Sequence, residues 1–150
     1  MEDMVIKRED AINVKDLLYL LGEFAKEYIS ADSSQHVKDQ YASYIKSNSN
    51  LISLILYKKE EPIGCIQLFH YKHPPMLAMD EYIEGEILNF YVLSTERNKE
   101  YGQKLLDAII DEARSNRIGY LRLNSTPSAE SIYRRYGFKN PVFNFLSLKI

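Results

Sequence analysis

The chain of 150 residues holds a single cysteine, Cys65, so it cannot build an intramolecular disulfide framework. It has no run near the roughly 18 apolar residues of a membrane-spanning helix. Its first ten residues, MEDMVIKRED, lack the apolar centre of a secretory signal. Neither sign of charge dominates, since 19 basic against 21 acidic residues leave a formal charge of −2. Nucleic-acid binding needs a concentrated positive face, so no nucleic-acid partner is expected. A small anionic ligand needs only local positive potential and stays open. These absences predict a cytoplasmic protein with no membrane association.

Several chemical signatures are missing as well. There is no G-x-G-x-x-G, and Gly102-Gln103-Lys104 lacks the upstream glycine and following Ser/Thr of a P-loop. No G-x-S-x-G elbow is present for a serine hydrolase. His70 and His73 stand three apart at a strand end, a spacing that does not put both on one face, and no cysteine or acidic cluster accompanies them. No metal site is expected. Cys65 lies inside an apolar strand and reads as a buried, inert thiol.

What is present is enough for one domain spanning residues 1–150, long enough to bury roughly 70% of its unfolded surface. Val5-Ile6-Lys7 suits a short strand. Asn13 reads as a helix N-cap before the 3.6-residue apolar period Val14, Leu17, Leu18, Leu21, Phe24, Ala25 and Tyr28. Ser30 to Ser34 reads as a loop. Val37, Tyr41, Tyr44 and Ile45 mark a second helix, ended by Ser47-Asn48-Ser49-Asn50. Leu51–Tyr57 and Ile63–Tyr71 read as a hairpin turned at Lys58 to Pro62. The longest irregular stretch is Lys72 to Tyr82. After it come a strand at Ile87–Val92, a helix through Leu105, Leu106, Ile109, Ile110 and Ala113, and a strand at Tyr120–Leu123. Thr126-Pro127 predicts the start of a last helix, Gly137 its C-cap, and Pro141–Leu148 a closing strand. That order describes an α/β or α+β domain with a mixed sheet.

The segment Gly85 to Gln103 carries the most chemistry. An apolar strand runs into a polar turn that opens directly onto an amphipathic helix. Backbone amides at such a helix start are unpaired and carry the positive end of the helix dipole, so they suit a phosphate. Glu86, early in that strand, and Tyr133, in the last helix, add two groups capable of proton transfer beside it.

Read with its flanks, Arg97-Asn98-Lys99-Glu100-Tyr101-Gly102 resembles the R/Q-x-x-G-x-G/A acyl-CoA loop of the GNAT N-acetyltransferases. Pro62-Ile63-Gly64 resembles the start of that family's third strand. The segment from Ala129 to Phe138 is similar to its A-x-x-L-Y-x-x-x-G-F signature, and the element order matches from Val5 to Phe138. The resemblance implies a mixed, mostly antiparallel sheet of six or seven strands flanked by about four helices. It implies acetyl-CoA as co-substrate, with the acetyl group passing by direct attack to a small-molecule or protein amine, and a homodimer is compatible with it. By the same resemblance Phe90, Tyr91 and Val92 would face the pantetheine and thioester, with the Phe90 amide as oxyanion donor. The turn Arg97, Asn98, Lys99, Glu100, Tyr101, Gly102 and Gln103 would hold the pyrophosphate. Tyr133 would serve the departing thiolate, Glu86 the proton of the amine, and Asn89 the acceptor.

Other readings of these residues stay open. Glu86 also suits a solvated charge at a strand start, and Tyr133 a core aromatic. Strict alternation would put Glu86, Leu88 and Phe90 on one face and Asn89 on the other. The acids Asp80, Glu81, Glu84 and Glu86 hint at a cationic acceptor. Glu100 stands where the family has its first glycine, and Asn98 at an often small position. That departure leaves a second reading, a non-catalytic acyl-CoA-binding or regulatory module of the same fold.

Overall fold

The apolar runs of the hairpin are continuous rather than alternating, which requires cover on both faces of the sheet. The computed structural model shows that cover; it describes residues 3–10, 13–30, 34–75, 77 and 82–150. The elements run β1 (Met4–Arg8), α1 (Val14–Tyr28), α2 (Gln35–Ser47), β2 (Leu51–Lys58), β3 (Glu61–His73), β4 (Tyr82–Val92), α3 (Tyr101–Ser115), β5 (Ile118–Leu123) and α4 (Glu130–Arg135). The sheet order is β1-β2-β3-β4-β5, antiparallel throughout except for the parallel pair β4–β5.

One face of the sheet packs Leu54, Leu56, Ile66, Leu68 and Ile87 against Leu105, Leu106 and Ile109 of α3. The other packs Ile55, Tyr57, Cys65 and Tyr91 against Leu17 and Leu20 of α1. Each fully buried leucine or isoleucine contributes about 1.5–3 kcal/mol through removal from water. No helix among the described residues is long and apolar enough to cross a membrane.

Local chemistry sets the element ends. Lys59 and Glu60 both take positive φ (48° and 68°) in the two-residue turn that pairs Lys58 with Glu61. Ser34 caps α2, its Oγ accepting from the Val37 amide at 3.2 Å. Asn13 precedes α1 as expected but does not cap it. Its side chain is drawn back to the Arg8 carbonyl at 3.5 Å, while its own amide donates to Asp10 Oδ1 at 3.2 Å. Strand β3 continues to His73, into the stretch expected to be irregular. Of the acids in that stretch, Asp80 and Glu81 lie outside the described residues, while Glu84 pairs with Arg122 at 3.0 Å.

Two expectations near the end of the chain are corrected. Helix α4 begins at Glu130 rather than at Thr126-Pro127, which instead open a turn closed by the Ala129 amide on the Thr126 carbonyl at 3.1 Å. Pro141–Leu148 forms no strand, so the sheet has five strands among the described residues rather than six or seven. Strand-forming residues gain little from extended geometry without a ladder to join, and Val142, Phe143, Phe145, Leu146 and Leu148 stay exposed. Gly137 ends α4 as expected. At φ +96° it lets the Gly137 and Phe138 amides reach the Arg134 and Tyr133 carbonyls, at 3.0 and 3.2 Å, and Phe138 packs back on the Tyr133 ring.

Candidate active site

Two irregularities in the sheet create the site. First, the β4–β5 ladder ends at Ile87 opposite Leu123, while β4 continues to Val92. Beyond Ile87 the outer edge of β4 therefore faces a groove instead of a strand. Second, β3 and β4 lose step: Gln67 stands opposite Leu88, but Cys65 stands opposite Tyr91. Three steps on β4 match two on β3, which is a β-bulge, and Asn89 takes φ +50° within it.

The bulge corrects the expected alternation. Asn89 joins Leu88 on the α1/α2 side, where its Nδ2 donates to Gln67 Oε1 at 2.6 Å. Phe90 turns to the α3/α4 side and meets the Tyr133 ring at 6.0 Å. Tyr91 returns to the α1 side, edge-on to Phe24. Glu86 and Phe90 thus lie on opposite faces. Glu86 sits opposite Phe69 in register and lines neither cavity described below.

A polar row holds the bulge from behind. Gln67 Nε2 donates to Ser53 Oγ at 2.8 Å, deep in the sheet, and Ser53 in turn meets the Glu9 carboxyl at the end of β1. Burial pushes the Glu9 carboxyl up to about 7, against the opposing pull of the Glu9 and Ser53 hydrogen-bond donors. The row runs from Glu9, just past β1, across β2, β3 and β4 in order. Sequence reasoning missed Glu9, Ser53 and Gln67, although Ser53 and Gln67 are conspicuous as polar residues inside two apolar runs. Cys65 behaves as expected: burial pushes its thiol up to about 12.

The groove, about 720 Å³, runs from Leu88 to Val92 on one wall, with Asn124, Ala129 and Tyr133 on the other and the Arg97–Gln103 turn at its end. Tyr133 is buried between Phe90 and Phe138, and that burial pushes its phenol up to about 12. A phenol so far above a thiol's ordinary value (about 8.5) is a hydrogen-bond donor to a thiolate, not an acid for it.

At the turn, Arg97 does not point its charge into the groove. Its guanidinium makes two bonds to Glu27 of α1 (2.5 and 2.8 Å), donates through Nε to the Val92 carbonyl at 3.0 Å, and lies over the Tyr91 ring. The Tyr91 hydroxyl donates to the same Glu27 at 2.9 Å. The Arg97 bonds hold the Glu27 carboxyl below the usual carboxylate range. Arg97 is a brace that ties α1 to the end of β4. Lys99 is likewise engaged, with Glu96 at 3.0 Å.

Backbone, rather than side chains, equips the turn for an anion. Asn98 and Glu100 both adopt left-handed φ (62° and 63°), and α3 starts at Tyr101. The Lys104 amide bonds to the Glu100 carbonyl at 3.2 Å, so the Gly102 and Gln103 amides precede the first bond of the helix ladder. A Cβ on Gly102 would stand 3.1 Å from Phe90 Cζ, so any larger residue there would have to push the Phe90 ring aside for the helix start to lie this close to the bulge strand. A groove of this volume, with a helix start at its end and open strand edge along its wall, fits an extended phosphate-bearing acyl carrier. Among the described residues no group of three or more His, Cys, Asp or Glu gathers into a metal-sized cluster.

No curated protein matches the sequence significantly. Solved structures do match over nearly the whole chain. A predicted acetyltransferase of Clostridium acetobutylicum with acetyl-CoA shares 18% identity and a TM-score of 0.80, covering 98% of this chain and 96% of that one. A glucosamine-6-phosphate N-acetyltransferase of Arabidopsis thaliana shares 14% at a TM-score of 0.76, over 98% and 99%. A ribosomal-protein-alanine N-acetyltransferase of Brucella melitensis shares 16% at 0.73, over 99% of each chain. At these identities the likeness speaks to fold. The model of the Acetyltransferase (GNAT) family matches residues 17–138, and this chain belongs to that family.

Proposed function

We propose that this protein is an N-acetyltransferase that moves the acetyl group of acetyl-CoA to an amine by direct attack, without a covalent enzyme intermediate. One observation carries the reading: the bulge at Asn89 lies where β4 leaves β5, so open strand edge, helix-start amides and Tyr133 converge on a single groove. The pyrophosphate takes the turn from Asn98 to Gln103. The pantetheine runs along Phe90 to Val92, whose backbone groups there lack a strand partner on the groove side. The Phe90 amide serves the oxyanion, a donor held rigid by the bulge and by the packing of its ring. Tyr133 donates a hydrogen bond to the departing thiolate.

The amine must lose a proton to attack. Glu86, on the side of β4 that carries Leu88 and opposite Phe69, takes it through solvent. A homodimer belongs to the same reading, supported by the exposed apolar residues from Val142 to Leu148, of which Phe145 lies against Arg122 of the edge strand β5.

Calorimetry with acetyl-CoA, followed by release of free thiol across an amine panel, tests the proposal. Micromolar binding with amine-dependent thiol release is expected, and no binding at millimolar acetyl-CoA would sink it. Glu100 favours a second reading, an acyl-CoA-binding module without turnover, because a left-handed, charged residue sits at the phosphate turn. Tight binding with no thiol release from any amine would select that module.

A further inference from the structure

A second cavity opens on the far side of the bulge. It measures about 260 Å³ and lies between α2 and the sheet, with Tyr41 and Tyr44 as its roof and Leu51, Phe69 and Leu88 as its apolar floor. Gln67 and Asn89 close its inner end. Leu88 and Asn89 line both this cavity and the long groove, so the two meet at the bulge.

Three features describe what would fill it. The walls are aromatic and aliphatic, and the volume falls below the roughly 300–1,000 Å³ of drug-sized pockets, so the occupant is small and largely apolar. The Tyr41 hydroxyl is buried and turned toward the Gln67 and Asn89 amides, yet it closes no hydrogen bond of good geometry. An unsatisfied buried hydroxyl is costly, and a bound polar head would satisfy it. One carboxyl acts on the inner end from behind: the field of Glu9 reaches the Tyr41 hydroxyl. No cation lines it.

We propose that this cavity is the acceptor site and that the acceptor is a small primary amine carrying an aromatic or branched apolar group. The ring lies between Tyr44, Leu51 and Phe69, and the amino group reaches the Tyr41 hydroxyl and Asn89 at the mouth of the long groove. This rests on the acetyl-transfer reading for its chemistry, but not for its binding. Transfer then balances simply. The amine nitrogen bonds to the thioester carbonyl carbon, the carbon–sulfur bond breaks, and the sulfur leaves with its electron pair as thiolate while the nitrogen yields one proton.

Binding of 2-phenylethylamine to the full chain, without acetyl-CoA, is the direct test, with spermidine and an alanine-terminated peptide as comparisons. Protein NMR should show saturable shifts confined to α2 and the Leu51, Phe69 and Leu88 segment. Leu51→Trp fills the end of the cavity farthest from Asn89 and should weaken binding at least tenfold, leaving acetyl-CoA affinity unchanged. Tyr41→Phe removes one buried atom and should weaken it about three- to tenfold. No saturable binding at 10 mM, binding indifferent to both substitutions, or tighter binding of spermidine or peptide would overturn the assignment. So would a Leu51→Trp protein that merely loses long-chain acyl-CoA, since the cavity would then hold the acyl group. Failure of acetyl-CoA to bind would strike only the transfer reading and leave amine binding to be judged on its own result.

Discussion

Replacing Glu100 separates two costs that meet at the turn proposed to hold the pyrophosphate. Its backbone sits at φ 63°, ψ 10°, a left-handed conformation in which a Cβ crowds the neighbouring carbonyl. For an L-residue that costs about 1–2 kcal/mol, whereas glycine takes it freely. Glycine also has about 0.5–1 kcal/mol more unfolded-chain entropy to lose, so Glu100→Gly should stabilise the fold by about 0.5–1 kcal/mol net. The charge acts separately, on the ligand. A carboxylate about 8 Å from a diphosphate weakens its binding by about three- to fivefold at low ionic strength, and salt screens the effect. Glu100→Gln removes the charge and keeps the Cβ, so it should tighten acetyl-CoA binding by about threefold in about 20 mM salt and leave stability unchanged. Glu100→Gly should tighten binding at least as much and also raise the urea midpoint. In about 0.5 M salt the gain from Glu100→Gln should vanish, while any part of the glycine gain due to an unstrained turn should persist. Calorimetry at both salt concentrations, with urea unfolding of the same three proteins, reads every term. Equal stability of the glycine and glutamate proteins would refute the strain argument. Unchanged affinity in both variants at low salt would mean that Glu100 does not face the phosphates.

On the proposed reading Tyr133→Phe removes one hydrogen bond to a developing thiolate, so it should lower kcat about tenfold and leave acetyl-CoA affinity within about twofold; an unchanged rate removes Tyr133 from the reaction. On the same reading Glu86→Gln should lower kcat/KM about tenfold, and an unchanged kcat/KM would take the proton elsewhere. Glu9 makes a stability prediction. Its carboxyl is raised from 4.5 to about 7 in the fold, so the folded protein favours the protonated form; the penalty on the charged form is absent below about pH 4.5 and complete above about 7. Halving the shift for solvent screening leaves about 1–2 kcal/mol, so Glu9→Gln should stabilise the protein by that amount at pH 8.5 and by little at pH 4, as urea melts would show. Deleting residues 141–150 should convert a dimer to a monomer in sedimentation, and a full-length monomer would end the dimer proposal.

Burial periodicity was readable along most of the chain because each helix and strand states its own buried face. The α3 stripe at Leu105, Leu106 and Ile109 is fully buried, and the apolar runs at Leu51 and Ile63 form the two-sided centre of the sheet. The helix start at Tyr101 and the turn at Gly137 were also legible, because glycine and amphipathic period mark them locally. Pro141–Leu148 misled for the opposite reason: its residues favour strands, but a strand exists only with a neighbour, and neighbours are not written in the segment itself.

The bulge at Asn89 is the same kind of fact, with larger consequences. Nothing within Gly85 to Val92 announces that one residue will be added relative to β3, so simple alternation sends Phe90 to the wrong face. What specifies the slip lies on other strands. Gln67 and Ser53 are polar positions that a two-sided core would otherwise reject; they bond each other, and Asn89, by turning in, satisfies the Gln67 Oε1 that remains. Once Asn89 turns in, Phe90 must turn out, against Tyr133 and over Gly102. The side to which Phe90 points and the meeting of the two cavities at Leu88 and Asn89 then follow from a single added residue, while the open strand edge follows from the end of the β4–β5 ladder at Ile87. Gln67→Leu should therefore lower both the urea midpoint and kcat, because it removes the partner that holds Asn89 on the α1/α2 side, and a destabilised protein with unchanged kcat would separate the row from the site.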